Sequence, residues 1–444
     1  MNITHFIARR VALSEQKTFS RLIIRIAIAA VAISVAVMIV ATALIAGFKE
    51  EIRAKIFGFW GHIHITEPNI SHSLVDLSPI DKDQDFYPKI TEVGPIKYLE
   101  DDEFMGREFT REKMTNGGIK HIQVFALKPG MIQFNDEIEG IILKGVGPDY
   151  DWSFLKKYIQ EGRPLDLADS TAQSEVDSIP TQNISREILI SRQTADRLQI
   201  GVGDEFIVNF VEEKGSQLKR KFTVAGIYKT GLEEYDRKFA LVDIRQIQRL
   251  MGWKSNQVSG FEVLLDDIED LQAFDEYVFY DVIPNELYSE SIRKKTPEIF
   301  DWLDLQNVNE VVILGLMITV AIINMMTALL ILILERTNMI GTLKALGSSN
   351  WDIRKIFLFY AGYIIVMGLF WGNLIGLLIC FIQDKFELIR LSEADYYLSV
   401  APVHVNFWTV LGLNAGSLII ILIFLIIPSY LITRISPVKA IRFK

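Results

Sequence analysis

The sequence predicts an integral membrane α-helical protein with four transmembrane helices and a large mixed α/β domain between the first and the second. Half of the 444 residues are hydrophobic and only 23% are charged, with a mean hydropathy of +0.24. The apolar residues gather in four runs near the two ends of the chain, where a soluble enzyme would spread them along its length. Basic residues crowd the flanks of those runs. A formal net charge of −9 argues against nucleic acid as a partner, because no basic face survives once the membrane flanks are set aside. The single cysteine, Cys380, lies inside an apolar run, so no disulfide framework can form within one chain.

Residues 1–25 lead into the first run, 26–47, which holds no charged residue and at about 22 residues is long enough for roughly 30 Å of hydrocarbon. A cleaved signal peptide would need an apolar core of only about 7–15 residues. A retained anchor is therefore expected, although Ala41, Ala43 and Ala46 leave cleavage open. The later runs are 308–334, 356–382 and 405–433, and none carries Lys or Arg.

Charge sets the direction of insertion. Arg9, Arg10, Lys17, Arg21 and Arg25 precede the first run, Arg336, Lys344, Arg354 and Lys355 sit in loop 335–355, and Arg434, Lys439, Arg442 and Lys444 form tail 434–444. Only Glu15, Glu335 and Asp352 oppose them. Residues 48–307 hold 31 basic and 47 acidic side chains, and loop 383–404 holds two and four. Positive flanks stay in the cytoplasm, so both termini and loop 335–355 are expected there, with residues 48–307 beyond the bilayer.

Within 48–307, apolar alternation predicts strands at 62–65, 122–127, 188–190, 206–210 and 222–227. Helical spacing appears at 191–198 and at 244–251, and the polar stretch 168–185 reads as an exposed loop. At the near edge, Phe48, Ile52 and Ile56 continue the first helix at i, i+4 spacing, with Gly58 expected to stop it. At the far edge, Thr296 is expected to cap a helix that opens at Pro297, with Glu298 behind it. From Pro297 to Leu334 such a helix would be about 57 Å long, nearly twice the roughly 30 Å hydrocarbon core. Two readings stand: a rigid stalk that carries displacement between compartments, or a tilted or kinked span with a short lead-in.

In loop 335–355, Ile340, Leu343 and Leu346 share one face of a short helix that Gly347 can close in a left-handed cap. That face either rests on lipid headgroups beside Lys344 or docks in a groove of a cytoplasmic partner. No GxxxxGK[ST] loop occurs, so any ATPase must be another polypeptide. His62 and His64 lack an HExxH or Cys companion and are not read as a metal site, and no GxSxG elbow is present. Catalysis within this chain is not expected.

These motifs together resemble those of the LolC/LolE-type permeases of lipoprotein-releasing ABC transporters, within the FtsX/MacB-like superfamily. The resemblance rests on Phe6-Ile-Ala-Arg-Arg10, Gly47-Phe48 and Ile56-Phe-Gly58 at the N-terminal side. It continues through Ile188-Leu-Ile-Ser191, Gly201-Val-Gly-Asp204, Phe222-Thr-Val-Ala-Gly226, Gly231 and Tyr235-Asp236. Glu335 to Gly347 is similar to the family's coupling helix, Tyr396-Tyr397 with Pro402-Val403 to its last external loop, and Ser436-Pro437 to Arg442 to its tail. One departure is Met339, where the family often has an acidic residue.

The resemblance implies a periplasmic α/β domain at 48–307 and an inner-membrane location. It also implies two copies of a cytoplasmic ABC ATPase, a second permease, identical or homologous, and lipoproteins handed to a periplasmic carrier. No cofactor is expected on this chain, with ATP and Mg on the partner ATPase. Glu335, Arg336, Ile340, Leu343, Lys344, Leu346 and Gly347 are then the expected ATPase-docking residues, and Met38, Ala41, Leu44, Ile45 and Phe48 the expected lipid or cargo surface. Gly368, Gly372 and Gly376 form a small-xxx-small helix-packing face, open to intrachain packing or to dimerisation. Asn324, Thr327, Asn373 and Asn414 should find interhelical partners. The competing functions are an FtsX-like permease that regulates a cell-wall hydrolase and a MacB-like efflux permease.

Overall fold

The computed structural model describes residues 18–68, 78–104, 107–134, 137–167, 184–211 and 217–434. The expected start of the N-terminal segment with its Phe6–Arg10 motif, most of the polar loop 168–185 and the Ser436–Arg442 motif lie outside the described residues. The chain divides into two compact units: residues up to 51 with 301–390 and 400–444, and residues 52–300 with 391–399.

The first unit is helical. Four helices among the described residues are long and apolar enough to cross a membrane: α1 (Thr18–Trp60), α2 (Pro297–Glu335), then, after the short α3 (Thr337–Ala345), α4 (Asn350–Phe386) and α5 (Phe407–Ser429). Each contains one of the four expected runs, apart from the ends of the last, which reaches past α5 on both sides. Their common core joins Val31, Val35 and Ile39 of α1 to Met325, Leu329 and Ile333 of α2, with Phe357 and Ile364 of α4 and Ile421 and Leu425 of α5. Both α1 and α2 run without interruption through the unit boundary, and at 39 residues α2 is about 58 Å long.

The second unit is built on a ten-stranded mixed sheet. Its strands are β1 (Ile63–Thr66), β2 (Ile119–Phe134), β3 (Glu137–Val146), β4 (Ile159–Gly162), β5 (Glu187–Ser191), β6 (Glu205–Val211), β7 (Gln217–Tyr228), β8 (Phe239–Asp243), β9 (Gly260–Leu265) and β10 (Tyr288–Ser291). The order is β10-β1-β9-β2-β3-β8-β5-β7-β4, with β6 paired to β7 and β2. The β3–β8 and β5–β7 pairs are parallel and the rest antiparallel. Strands covered on both faces are apolar throughout or hide their charges: all six residues of β9 are buried, Glu262 included. A separate two-stranded hairpin joins 97–104 to 107–114.

All five expected strands form, and the helix expected at 244–251 has those bounds, with Asp243 capping its start and Gly252 at φ +67° closing it. Ser191 caps the helix Arg192–Leu198 by accepting from the Thr194 N–H at 3.1 Å. Two expected boundaries need correction. Gly58 does not stop α1. The helix runs to Trp60 and ends at Gly61, whose φ is +72° and whose N–H returns to Phe57 O at 2.8 Å. Gly58 is small because a Cβ there would collide with the Phe154 ring. Thr296 does not cap α2 either; its Oγ1 donates backwards to Ile292 O at 2.9 Å, finishing the turn 292–295, while Pro297 does open α2.

Candidate functional site

Loop 335–355 is held by its own chain. Ile340 is fully buried and Leu343 packs beside it on the helical core, so the expected apolar face already has a cover over two of its three residues. Leu346 lies past the end of α3 and is 78% exposed. Six residues on from Ile340, Leu346 stands about 120° round the helix, and its N–H still bonds Thr342 O at 3.0 Å; beyond it Gly347, at φ +92°, returns its N–H to Lys344 O at 3.1 Å and Ser348 returns its own to Leu343 O at 3.0 Å, a Schellman closure. Lys344 Nζ donates to Ile432 O at 2.7 Å, capping the last carbonyls of the final helical turn. Glu335 is the exposed last residue of α2, and Arg336 is a half-buried link to α3. Of the expected docking residues, Glu335, Leu346 and Gly347 are therefore outward, whereas Ile340, Leu343 and Lys344 are taken up by intrachain packing.

On α1, Met38 is 1% exposed, inside the helical core, whereas Ala41, Leu44 and Ile45 are half-buried. Phe48 meets Trp302 of α2 edge to face at 5.3 Å, and Lys49 donates to Asn307 Oδ1 at 2.5 Å, so α1 and α2 are zipped together along this stretch. The open apolar stripe of α1 runs through Leu22, Ile26, Ile33 and Val37. Met38 is thus corrected from cargo surface to core. Gly47 is required by the chain beside it: a Cβ would lie 2.8 Å from Pro402 O, and the next hydrogen bond runs from His404 N–H to Ala43 O at 3.0 Å.

The glycine face of α4 receives α1. A Cβ on Gly368 would lie 2.7 Å from Val31 Cβ, one on Gly372 would lie 2.8 Å from Ala32 O and one on Gly376 would lie 3.2 Å from Ala36 Cα. Packing within the chain accounts for all three. Asn373 and Asn414 form a reciprocal amide pair at 2.7 and 2.9 Å, and each donates its second N–H to the carbonyl four residues back. Thr327 instead bonds Ile323 O on its own helix.

Sequence reasoning missed a buried charged cluster at the roots of α1 and α2. Lys144 (β3) and Glu262 (β9) are both fully buried and lie 2.7 Å apart. Lys144 Nζ also donates to Phe59 O at 2.6 Å and rests over the Trp60 ring at 4.8 Å, while Gln123 Nε2 donates to Glu262 Oε2 at 2.7 Å. His64 Nε2 donates to Trp60 O at 2.7 Å, and its Nδ1 accepts from Lys295 Nζ at 3.2 Å. The final carbonyls of α1 therefore end on an ammonium and an imidazole, at the negative pole of the helix. One imidazole joins them to the residue two places before α2. Burial, reinforced by Lys295, holds the His64 pKa well below 6.5, so the ring stays neutral, as its accepting Nδ1 requires. Burial lowers Lys295 to about 8. It also pushes the Glu262 carboxyl up and the Lys144 ammonium down, each pulled back by the other's charge. The signal was present as single charges inside the otherwise apolar runs 141–146 and 260–265.

No group of His, Cys, Asp or Glu among the described residues could hold a metal ion. Long apolar helices precede and follow a mixed sheet domain inserted after the first of them. Residues 26–278, more than half of the chain, match the family model of the MacB-like periplasmic core domain, and residues 311–437 match the FtsX-like permease C-terminal domain. Among curated relatives, "Lipoprotein-releasing system transmembrane protein LolC" of Xylella fastidiosa (strain 9a5c) is 22% identical over 93% of this chain and 92% of its own length. The LolC protein of Neisseria meningitidis serogroup B is 21% identical over 97% and 96%, and the LolE protein of Haemophilus influenzae 22% over 99% of each. The chain belongs to the FtsX/MacB-like permeases and, within them, to the LolC/LolE type. It is an inner-membrane transporter subunit.

Proposed function

We propose that this chain is the permease subunit of an ABC transporter that extracts lipoproteins from the outer leaflet of the inner membrane and passes them to a periplasmic carrier. Its end-to-end likeness to LolC and LolE proteins carries the reading. Two copies of a separate cytoplasmic ATPase bind ATP and Mg and do the hydrolysis, and a second permease, identical or homologous, completes the pair. The chain crosses the membrane four times with both termini and loop 335–355 in the cytoplasm, consistent with the basic flanks.

The unbroken α2 supports a mechanical role. Its 39 residues connect the sheet domain to the loop that would meet the ATPase, and a continuous helix conveys displacement that a flexible linker absorbs. Exposed Leu346, with Glu335 and Gly347, is the docking knob, while acyl chains lie along the open stripe of α1 at Ile33 and Val37 and the half-buried Ile45.

Mass spectrometry of the complex purified in mild detergent is expected to find acylated lipoprotein. A wall hydrolase or its activator in place of lipid-modified protein would overturn the cargo. Leu346→Asp should abolish copurification of the ATPase, and retained binding would refute the docking role. Leu343→Asp is the poorer probe, because that side chain packs on its own helices.

A further inference from the structure

The connection between α4 and α5 does not stay with the helical unit. Its residues Leu391–Ser399 cluster with the sheet domain, where two motifs separated by about 160 residues in sequence, Gly231 with Tyr235-Asp236 and Tyr396-Tyr397, meet. Asp236 shapes the receiving turn. Its carboxylate accepts from Thr230 Oγ1 at 2.7 Å, Thr230 N–H at 3.2 Å and Gly231 N–H at 2.9 Å. Gly231 then sits at φ +80°, where a Cβ would come within 3.2 Å of Tyr397 O and 3.0 Å of Lys55 Nζ.

Lys55 belongs to the part of α1 beyond the apolar run. It is 6% exposed, its Nζ donates to Tyr397 O at 3.0 Å, and the ammonium lies 5.6 Å from the centre of the Tyr158 ring. Tyr397 presents that carbonyl from a left-handed backbone at φ +58°, a strained conformation for a tyrosine that persists only where its surroundings hold it. A second fastening, Lys229 to Glu393 at 2.5 Å, secures the front of the segment, and Leu398 behind it is 4% exposed.

We propose that Lys55 pins the 391–399 strap, so that the outer end of α1 and the connection between α4 and α5 move as one body during transport. Lys55 is a positioning residue: it touches no cargo and acts through the strap. The functional half of this inference rests on the lipoprotein-release reading; the pin itself does not.

The test uses the full chain with its ATPase in proteoliposomes. Leu398→Cys in a Cys380→Ser background reports on the strap through a membrane-impermeant maleimide. Adding Lys55→Met should raise labelling about tenfold or more, as a local opening would, whereas Lys55→Arg, which keeps a donor and a charge, should stay near the parent. Lipoprotein released per ATP hydrolysed should fall in Lys55→Met while ATP hydrolysis continues. Unchanged labelling in Lys55→Met overturns the pin, and raised labelling with unchanged release per ATP overturns its part in transport. A parent complex that hydrolyses ATP without releasing lipoprotein sinks the functional reading instead, and labelling then decides the pin.

Discussion

The two units bury polarity in opposite ways. The sheet domain hides full charges, with Lys144, Glu262 and Lys295 converging around His64. Described side chains in the core of the helical unit bury no charge and rely on close backbone approach at three glycines and on one amide pair. The difference follows from what each can use as a counterweight. A sheet rooted on the end of α1 has helix carbonyls and facing strands to satisfy an ammonium, whereas helices in hydrocarbon have already spent their backbone groups on themselves.

The largest expected effect breaks the charged side of that contrast. Lys144→Met strands the Glu262 carboxylate and should cost about 3–5 kcal/mol, read by denaturant unfolding of the full chain in detergent. Adding Glu262→Leu should recover most of it. A loss below about 1 kcal/mol would remove the cluster from any role in holding the domain together.

Acid should act on the same unit. Burial, helped by Lys120, lowers the His62 pKa to about 4, and its Nδ1 accepts the Leu265 N–H at 3.2 Å. A folded-state pKa below the unfolded 6.5 gives stability that is present above pH 6.5 and lost as pH falls through 4. The full swing is about 3 kcal/mol. Thermal midpoints at successive pH values should therefore decline between those limits, and His62→Gln should flatten that decline. An identical acid limb in the variant would exclude His62 as its source.

In the helical unit, Gly372→Val should destabilise by about 1–3 kcal/mol, because its Cβ would meet Ala32 O and Val35 at 2.8 Å. Gly412→Ala, with open space at its Cβ, should instead be neutral or stabilising by up to about 1 kcal/mol. Asn373→Leu should cost about 0.6–2 kcal/mol; equal losses from Asn373→Leu, Asn414→Leu and the double variant would show that the pair acts as one.

Much of this was legible from the residues. The long helices follow from uninterrupted apolar runs, and the strands from alternation. What escaped depended on neighbours distant in sequence. Gly58 looks like a helix stop until Phe154 is seen against it, and Gly61, three residues on, gave no stronger local signal. Thr296 has the chemistry of a cap, but the carbonyl of Ile292 takes its hydroxyl first. Steps of three group Leu346 with Ile340, yet residues i and i+6 stand about 120° apart on a helix, and Leu346 is exposed where Ile340 is buried. The Leu391–Ser399 strap left no trace in periodicity because backbone carbonyls and turns hold it.

The contact between Lys344 Nζ and Ile432 O has an evolutionary consequence. The acceptor is main chain, which every amino acid supplies, so the bond itself constrains only the donor, and position 432 is held instead by the burial of its side chain in the helical core. Methods that find neighbours through paired substitutions are blind to such a contact, however firmly it fastens the end of the fold.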